Sequence, residues 1–134
     1  MSINPALGKF KPRTQAAILV GLRVFVRIAR RFLSRYGTVV VSGASMAPTL
    51  NEGDWVVVRW KPRRKKLEAG NIVIVERDDQ PGIQYVKRII KIEKKRYWVE
   101  GDNSEPSIDS RSWGFLTRKE IIGKYLFRYF LFFQ

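Results

Sequence analysis

Gln84-Tyr85-Val86-Lys87-Arg88-Ile89-Ile90-Lys91-Ile92 is rich in β-branched and aromatic residues and follows the turn pair Pro81-Gly82. Such residues fit a pleated, half-buried surface, so the stretch reads as a β-strand. Side chains alternate along a strand, which sends Lys87 to one face and Arg88 to the other. One cation can then enter a dry interior while its neighbour stays in water. Five more runs of the same kind lie at residues 38–41, 55–59, 72–76, 97–100 and 124–130. Gly53-Asp54, Gly70-Asn71 and Gly101-Asp102-Asn103 mark turns between them. Short strands separated by turns predict a mainly β chain with a compact antiparallel sheet rather than βαβ units. The basic loop at residues 61–66 reads as a solvated hairpin tip, and no internal repeat is evident. Of the aromatic terminus, residues 124–130 read as a last strand and the final four as an interfacial anchor.

The chain has 134 residues, 45% of them hydrophobic, which is room for one modest domain with a core. Its net charge of +14 is the outlier. Lys9, Lys11, Arg13, Arg23, Arg27, Arg30, Arg31 and Arg35 meet no acidic residue before Ser45. A basic arm of this kind suits a phosphate-bearing partner. Placed on a helix over residues 16–35, Arg23, Arg27, Arg30, Arg31 and Arg35 fall on one side, and Ile18, Leu22, Phe25, Ala29, Phe32 and Leu33 fall on the other. A bilayer span needs about 20 mostly apolar residues, yet the longest uncharged run before Tyr36 is residues 14–22. The reading is a basic amphipathic helical arm, residues 1–36, lying on an anionic membrane surface, followed by a β domain, residues 37–134. No nucleic-acid-binding motif is present, so nucleic acid is not an expected partner.

The sequence contains no histidine and no cysteine. This excludes imidazole-activated serine and cysteine proteases, makes a zinc hydrolase a poor fit, and removes disulfides and thiol chemistry. A serine nucleophile here must lose its proton to a carboxylate, an amine or a metal-bound group. Ser45 with Lys87 is the leading pair. A free lysine titrates near ~10.4 and must be desolvated to act as a base at neutral pH, and Val86 and Ile89 supply apolar surface beside it. The Ser45 amide is a natural oxyanion donor, and Gly43 gives the turn that lets a substrate carbonyl come close.

Four segments follow one another in a fixed order. They are Val41-Ser42-Gly43-Ala44-Ser45-Met46-Ala47-Pro48-Thr49-Leu50, then Gly53-Asp54, then Tyr85-Val86-Lys87-Arg88-Ile89, then Gly101-Asp102-Asn103 with Ser107-Ile108-Asp109-Ser110-Arg111-Ser112-Trp113-Gly114. Together they resemble the signature boxes of the type I signal peptidases. Each dipeptide is common alone, whereas the ordered set is highly specific. The resemblance implies a membrane-associated serine endopeptidase that removes N-terminal signal or leader peptides after a small residue, with no metal or organic cofactor. Carried over residue by residue, it makes Ser45 the nucleophile, Lys87 the general base and Ser107 the hydroxyl that orients the lysine amine. Met46 lines the pocket for small substrate side chains, and Asp109 with Arg111 forms a buried pair beneath the site. Some members of that family place a serine two residues before the nucleophile as a second donor; here that position is Gly43, with Ser42 as the nearest hydroxyl.

Twelve residues separate Arg88 from Gly101, too few for the extra domain of large signal peptidases, so the chain reads as a minimal catalytic core. Its partners would be precursor polypeptides with an extended, small-residue cleavage site. The expected location is a bacterial plasma membrane or an organelle inner membrane. The chain also resembles the small branch of this family that removes the propeptide of a nickel-type superoxide dismutase, which implies the same chemistry on a cytoplasmic substrate.

Overall fold

In the computed structural model of the chain, which describes residues 12–105 and 108–130, strand β3 (Ile72–Glu76) is covered on both faces. Ile72 and Ile74 join Val41, Met46, Leu50, Val56 and Val58 in one buried cluster. Val73 and Val75 join Leu67, Ile89, Tyr97, Val99, Leu116 and Ile121 in a second. A strand with apolar neighbours on both sides carries an unbroken apolar run, which is why residues 72–75 show no alternation. Full burial of each such side chain contributes about 1.5–3 kcal/mol.

The other strands are β1 (Tyr36–Val40), β2 (Trp55–Trp60), β4 (Gln84–Glu93), β5 (Arg96–Glu100) and β6 (Ile121–Tyr129). They form one six-stranded sheet in the order β1-β2-β6-β3-β4-β5, with every neighbouring pair antiparallel. The chain is therefore mainly β, with a helix before the sheet. β6 sits between β2 and β3, pairing Trp60 with Gly123 and Lys124 with Val73. Residues 61–66 are thus a crossover past β6 and not the hairpin tip expected from the sequence, because β2 and β3 are not partners. The crossing is tight. A Cβ on Gly37 would stand 2.2 Å from Trp60 Nε1 and one on Gly123 3.0 Å from Trp60 Cε3, so these two glycines leave room for the indole.

β5 pairs with β4 only from Arg88 onward. Among the described residues no strand covers the outer edge of β4 over residues 84–87.

The described residues fall into two compact units that part between Ser34 and Arg35. The first contains α1 (Pro12–Leu33), which starts on a proline, whose fixed φ and missing N–H suit the first turn of a helix. Arg23, Arg27, Arg30 and Arg31 lie within it, as expected. Arg35 does not: the helix has ended, and the Arg35 carbonyl accepts the Trp60 N–H at 2.7 Å. No helix among the described residues is long and apolar enough to cross a membrane. The final four residues, read as an interfacial anchor, lie outside the described residues.

Candidate active site

Ser45 stands in the loop between β1 and β2. The loop is closed at its neck by Val41 N–H to Asp54 O (2.9 Å) and Gly53 N–H to Val41 O (2.8 Å). Val41 before the serine, and Met46 and Leu50 after it, drop into the cluster under β3, which anchors the backbone on either side of Ser45. Gly43 has φ 79°, and a Cβ there would meet nothing within 4 Å. Its requirement is the left-handed backbone and not space.

Lys87 follows the strand alternation. It lies across from Val73, on the Tyr85 and Ile89 side of β4, whereas Val86 packs into the other cluster. Its residue exposure is 2%. The ammonium is 5.9 Å from the Tyr85 ring centroid, Tyr85 meets Trp113 edge-on at 5.0 Å, and Arg77 lies 4.9 Å over Trp113. Burial pushes the lysine below its ordinary pKa, Arg111 acts in the same direction, and Asp109 opposes both.

Ser42, Gly43 and Ser45 share one concavity of about 260 Å³ with Tyr85, Lys87 and Ile108. An adjoining cleft of about 190 Å³ runs between Val39, Val40 and Val41 of the β1 side and Gln84, Tyr85 and Val86 of β4, with Ser45, Met46 and Ile74 also lining it. Met46, expected to line a pocket for small substrate side chains, borders this cleft.

Two aspartates tie the site together. Asp109 is the N-cap of the short helix α2 (Ser110–Trp113) and its side chain is wholly buried. It accepts the Gly101 N–H (2.9 Å) and Arg111 N–H (3.1 Å), and a fork from Arg111 at 2.9 and 2.6 Å. The Arg111 side chain is 40% exposed, so the pair expected to be buried is buried at its carboxylate end alone. That end satisfies backbone donors which would otherwise be stranded, while the long arginine keeps its guanidinium partly in water.

Asp102 accepts Arg88 Nε and Nη2, both at 2.8 Å, and the Thr49 hydroxyl at 2.6 Å. Arg88 Nη1 also reaches the Gly70 carbonyl at 2.7 Å, and Asn103 N–H donates to the Ser45 carbonyl at 2.9 Å. Arg88, expected on the water side, does keep a partly exposed side chain, and it is also held in this network. Alternation predicts which face a side chain takes but not what meets it there.

Arg88, Asp102, Thr49, Tyr85 and Ile108 had no site role in the sequence reading. Asp102 stood in the Gly-Asp-Asn motif and Tyr85 two positions from Lys87 on one strand face, so both carried a signal. Ser107 lies outside the described residues.

The signal peptidase, peptidase S26 family matches residues 13–93 and 90–130. The chain belongs to this family. It is 36% identical to mitochondrial inner membrane protease subunit 2 of Homo sapiens over 73% of this chain and 70% of that protein. The Mus musculus subunit 2 is 33% identical over the same shares. Signal peptidase I of Buchnera aphidicola subsp. Baizongia pistaciae (strain Bp) is 50% identical, over 27% of this chain and 12% of its own length. As an S26 member the chain is a peptidase of the leader-removing class, and precursor polypeptides are its class of substrate.

Proposed function

We propose that this peptidase is a serine endopeptidase working through Ser45 and Lys87. The observation that carries the reading is the concavity lined by both Ser45 and a buried lysine whose neutral form is favoured by that burial. Neutral Lys87 takes the Ser45 Oγ proton as the oxygen attacks the scissile carbonyl. The Ser45 N–H faces the developing oxyanion from the turn that Gly43 makes, and Ser42 is the nearest hydroxyl for a second donor. Collapse breaks the C–N bond, and Lys87 returns the proton to the leaving amine. A water deprotonated by Lys87 then hydrolyses the acyl-enzyme. Ser107 orients the lysine amine, and Asp109 with Arg111 supports it from beneath.

The substrate lies extended between the β1 side and the open edge of β4, with a small side chain against Met46. The modest size of the cleft supports that preference. The arm, residues 1–36, holds the enzyme on an anionic membrane surface through the arginines of α1, and the β domain, residues 37–134, carries the chemistry.

Ser45→Ala and Lys87→Ala should each abolish cleavage of a precursor peptide with the fold retained, because nucleophile and base act as a unit. Activity surviving in either purified, folded variant would sink the dyad. The wild-type rate should rise with pH through an apparent pKa below the ~10.4 of a free lysine. Mass spectrometry of protein N-termini in cells with and without active enzyme identifies the substrate. Many changed precursors fit leader removal at a membrane, and one cytoplasmic propeptide fits the dismutase-maturation type.

A further inference from the structure

The end of the sheet where β2 finishes and β6 begins is crowded with cations. Lys61, Arg63, Arg64, Lys65 and Lys66 line the crossover, and Lys119 and Lys124 flank the first residues of β6. The crossover is held in place. Lys61 N–H donates to Ile122 O (2.9 Å), Lys124 Nζ to Lys66 O (2.8 Å), and the Arg118 guanidinium to Ile121 O (2.7 Å) and to Pro62 O. Lys61, Arg63, Arg64, Lys65, Lys66 and Lys119 are exposed, and no carboxylate pairs with them among the described residues. Of the nearby acids, Glu68 is exposed and the Glu120 carboxylate already caps Thr117 and accepts the Asp78 N–H.

The same end has an apolar floor. A groove of about 440 Å³ is lined by Trp60, Ile121 and Ile122 and rimmed by Lys61, Arg118 and Lys119. Trp60 is seated in the room left by Gly37 and Gly123. Lys61 takes φ 49°, a left-handed backbone that glycine or asparagine adopts at less cost.

We infer that this end of the β unit is a docking face for an anionic lipid surface. Headgroup phosphates meet the cations of residues 61–66 and Lys119, and Trp60 sits at the boundary with the acyl chains. Clustered Lys and Arg are attracted to anionic lipid, and an indole favours the headgroup level. Trp60 and Ile122 are half-buried against one core cluster and Ile121 belongs to the other, so the groove presents the edge of the core between the rim cations, which a polyanion recognised by charge alone would not use. The chain also enters the β unit at this end, through Arg35 against Trp60. The inference does not depend on the Ser45–Lys87 chemistry, in which none of these residues takes part.

The test uses the full chain with vesicles of phosphatidylcholine, with or without phosphatidylglycerol. Three variants are compared: Arg64→Gln/Lys65→Gln/Lys66→Gln, Lys61→Gly, and an arm variant with Arg23, Arg27 and Arg30 changed to Gln. The loop triple variant should lose affinity for the anionic vesicles on the order of a hundredfold, with its arm intact and its cleavage of a soluble peptide unchanged. Lys61→Gly should melt no lower than wild type and still bind anionic vesicles several-fold more weakly. Wild-type affinity in both loop variants would overturn the inference, leaving lipid binding to the arm. A duplex RNA that displaces the protein from vesicles, and whose own binding falls with the loop charges, would overturn it in favour of nucleic acid.

Discussion

Asp102 and Asp109 each grip an arginine with two oxygens, seven residues apart in one loop, yet the two forks do different work. Asp109 binds a partner two residues away and closes a local turn, with its carboxylate wholly buried. Asp102 binds Arg88, 14 residues distant, and Thr49, 53 residues distant, with both members of the ion pair partly exposed. The local fork lies within reach of the lysine's charge, whereas the long-range fork aligns the serine loop with β4. Burial therefore marks the carboxylate that holds the fold and lies within reach of Lys87. Sequence separation marks the one that ties the Ser45 loop to β4.

Asp109→Asn breaks the comparison most severely. It removes the charge that Arg111 and two backbone N–H groups share in a dry site, which should lower unfolding stability by about 2–3 kcal/mol in urea titration. Asp109 is also the group that raises the Lys87 pKa against the effect of burial. The acid limb of the pH–rate profile should therefore move to lower pH in this variant. An unmoved limb would mean that the local fork is structural alone.

Asp102→Asn should act in the opposite proportion. Partial exposure screens the Arg88 pair, so the stability loss should be about 1 kcal/mol. Loosening of the Thr49 and Arg88 contacts should lower kcat on the order of tenfold while the midpoint of the acid limb stays where it is. A shifted midpoint with kcat intact would reverse the roles assigned to the two forks.

The smallest effect is on acid stability. Arg88 first, and Thr49 after it, hold the Asp102 carboxyl below its ordinary pKa, although burial pushes the other way. The unfolded chain then takes up the proton at a higher pH than the folded one. This contribution is fully present above about pH 4 and is lost as pH falls through the folded-state value. Thermal melts of Asp102→Asn should accordingly fall less steeply than wild type below pH 4. Some slope should remain, because Asp54 is lowered in the same way by the Asn51 N–H and Arg128.

Much of this arrangement was legible in the residues. β3 occupies the bounds its apolar run predicts, because burial on both faces leaves the run unbroken. β6 begins three residues earlier than expected, at Ile121, since Gly123 interrupts the apolar pattern where Trp60 needs room. The order of strands was not legible. Nothing local in residues 61–66 announces that a strand from the far end of the chain will fill the gap beside β2. The pairing of Ser45 with Lys87 was suggested by what the chain lacks, and the two do line one concavity, while the Arg88–Asp102–Thr49 link needed three distant segments to be brought together.

For the proposed extended substrate, the edge of β4 over residues 84–87, which no strand covers among the described residues, is also a length gauge. At roughly 3.3 Å per residue it can align only about four residues of a polypeptide in extended form. In the proposed binding mode, a precursor folded tightly up to its junction would not lie along such an edge. The rate at which a precursor is trimmed would then be governed by how often the few residues around its junction come undone, which makes local unfolding of the precursor a timer for its own maturation.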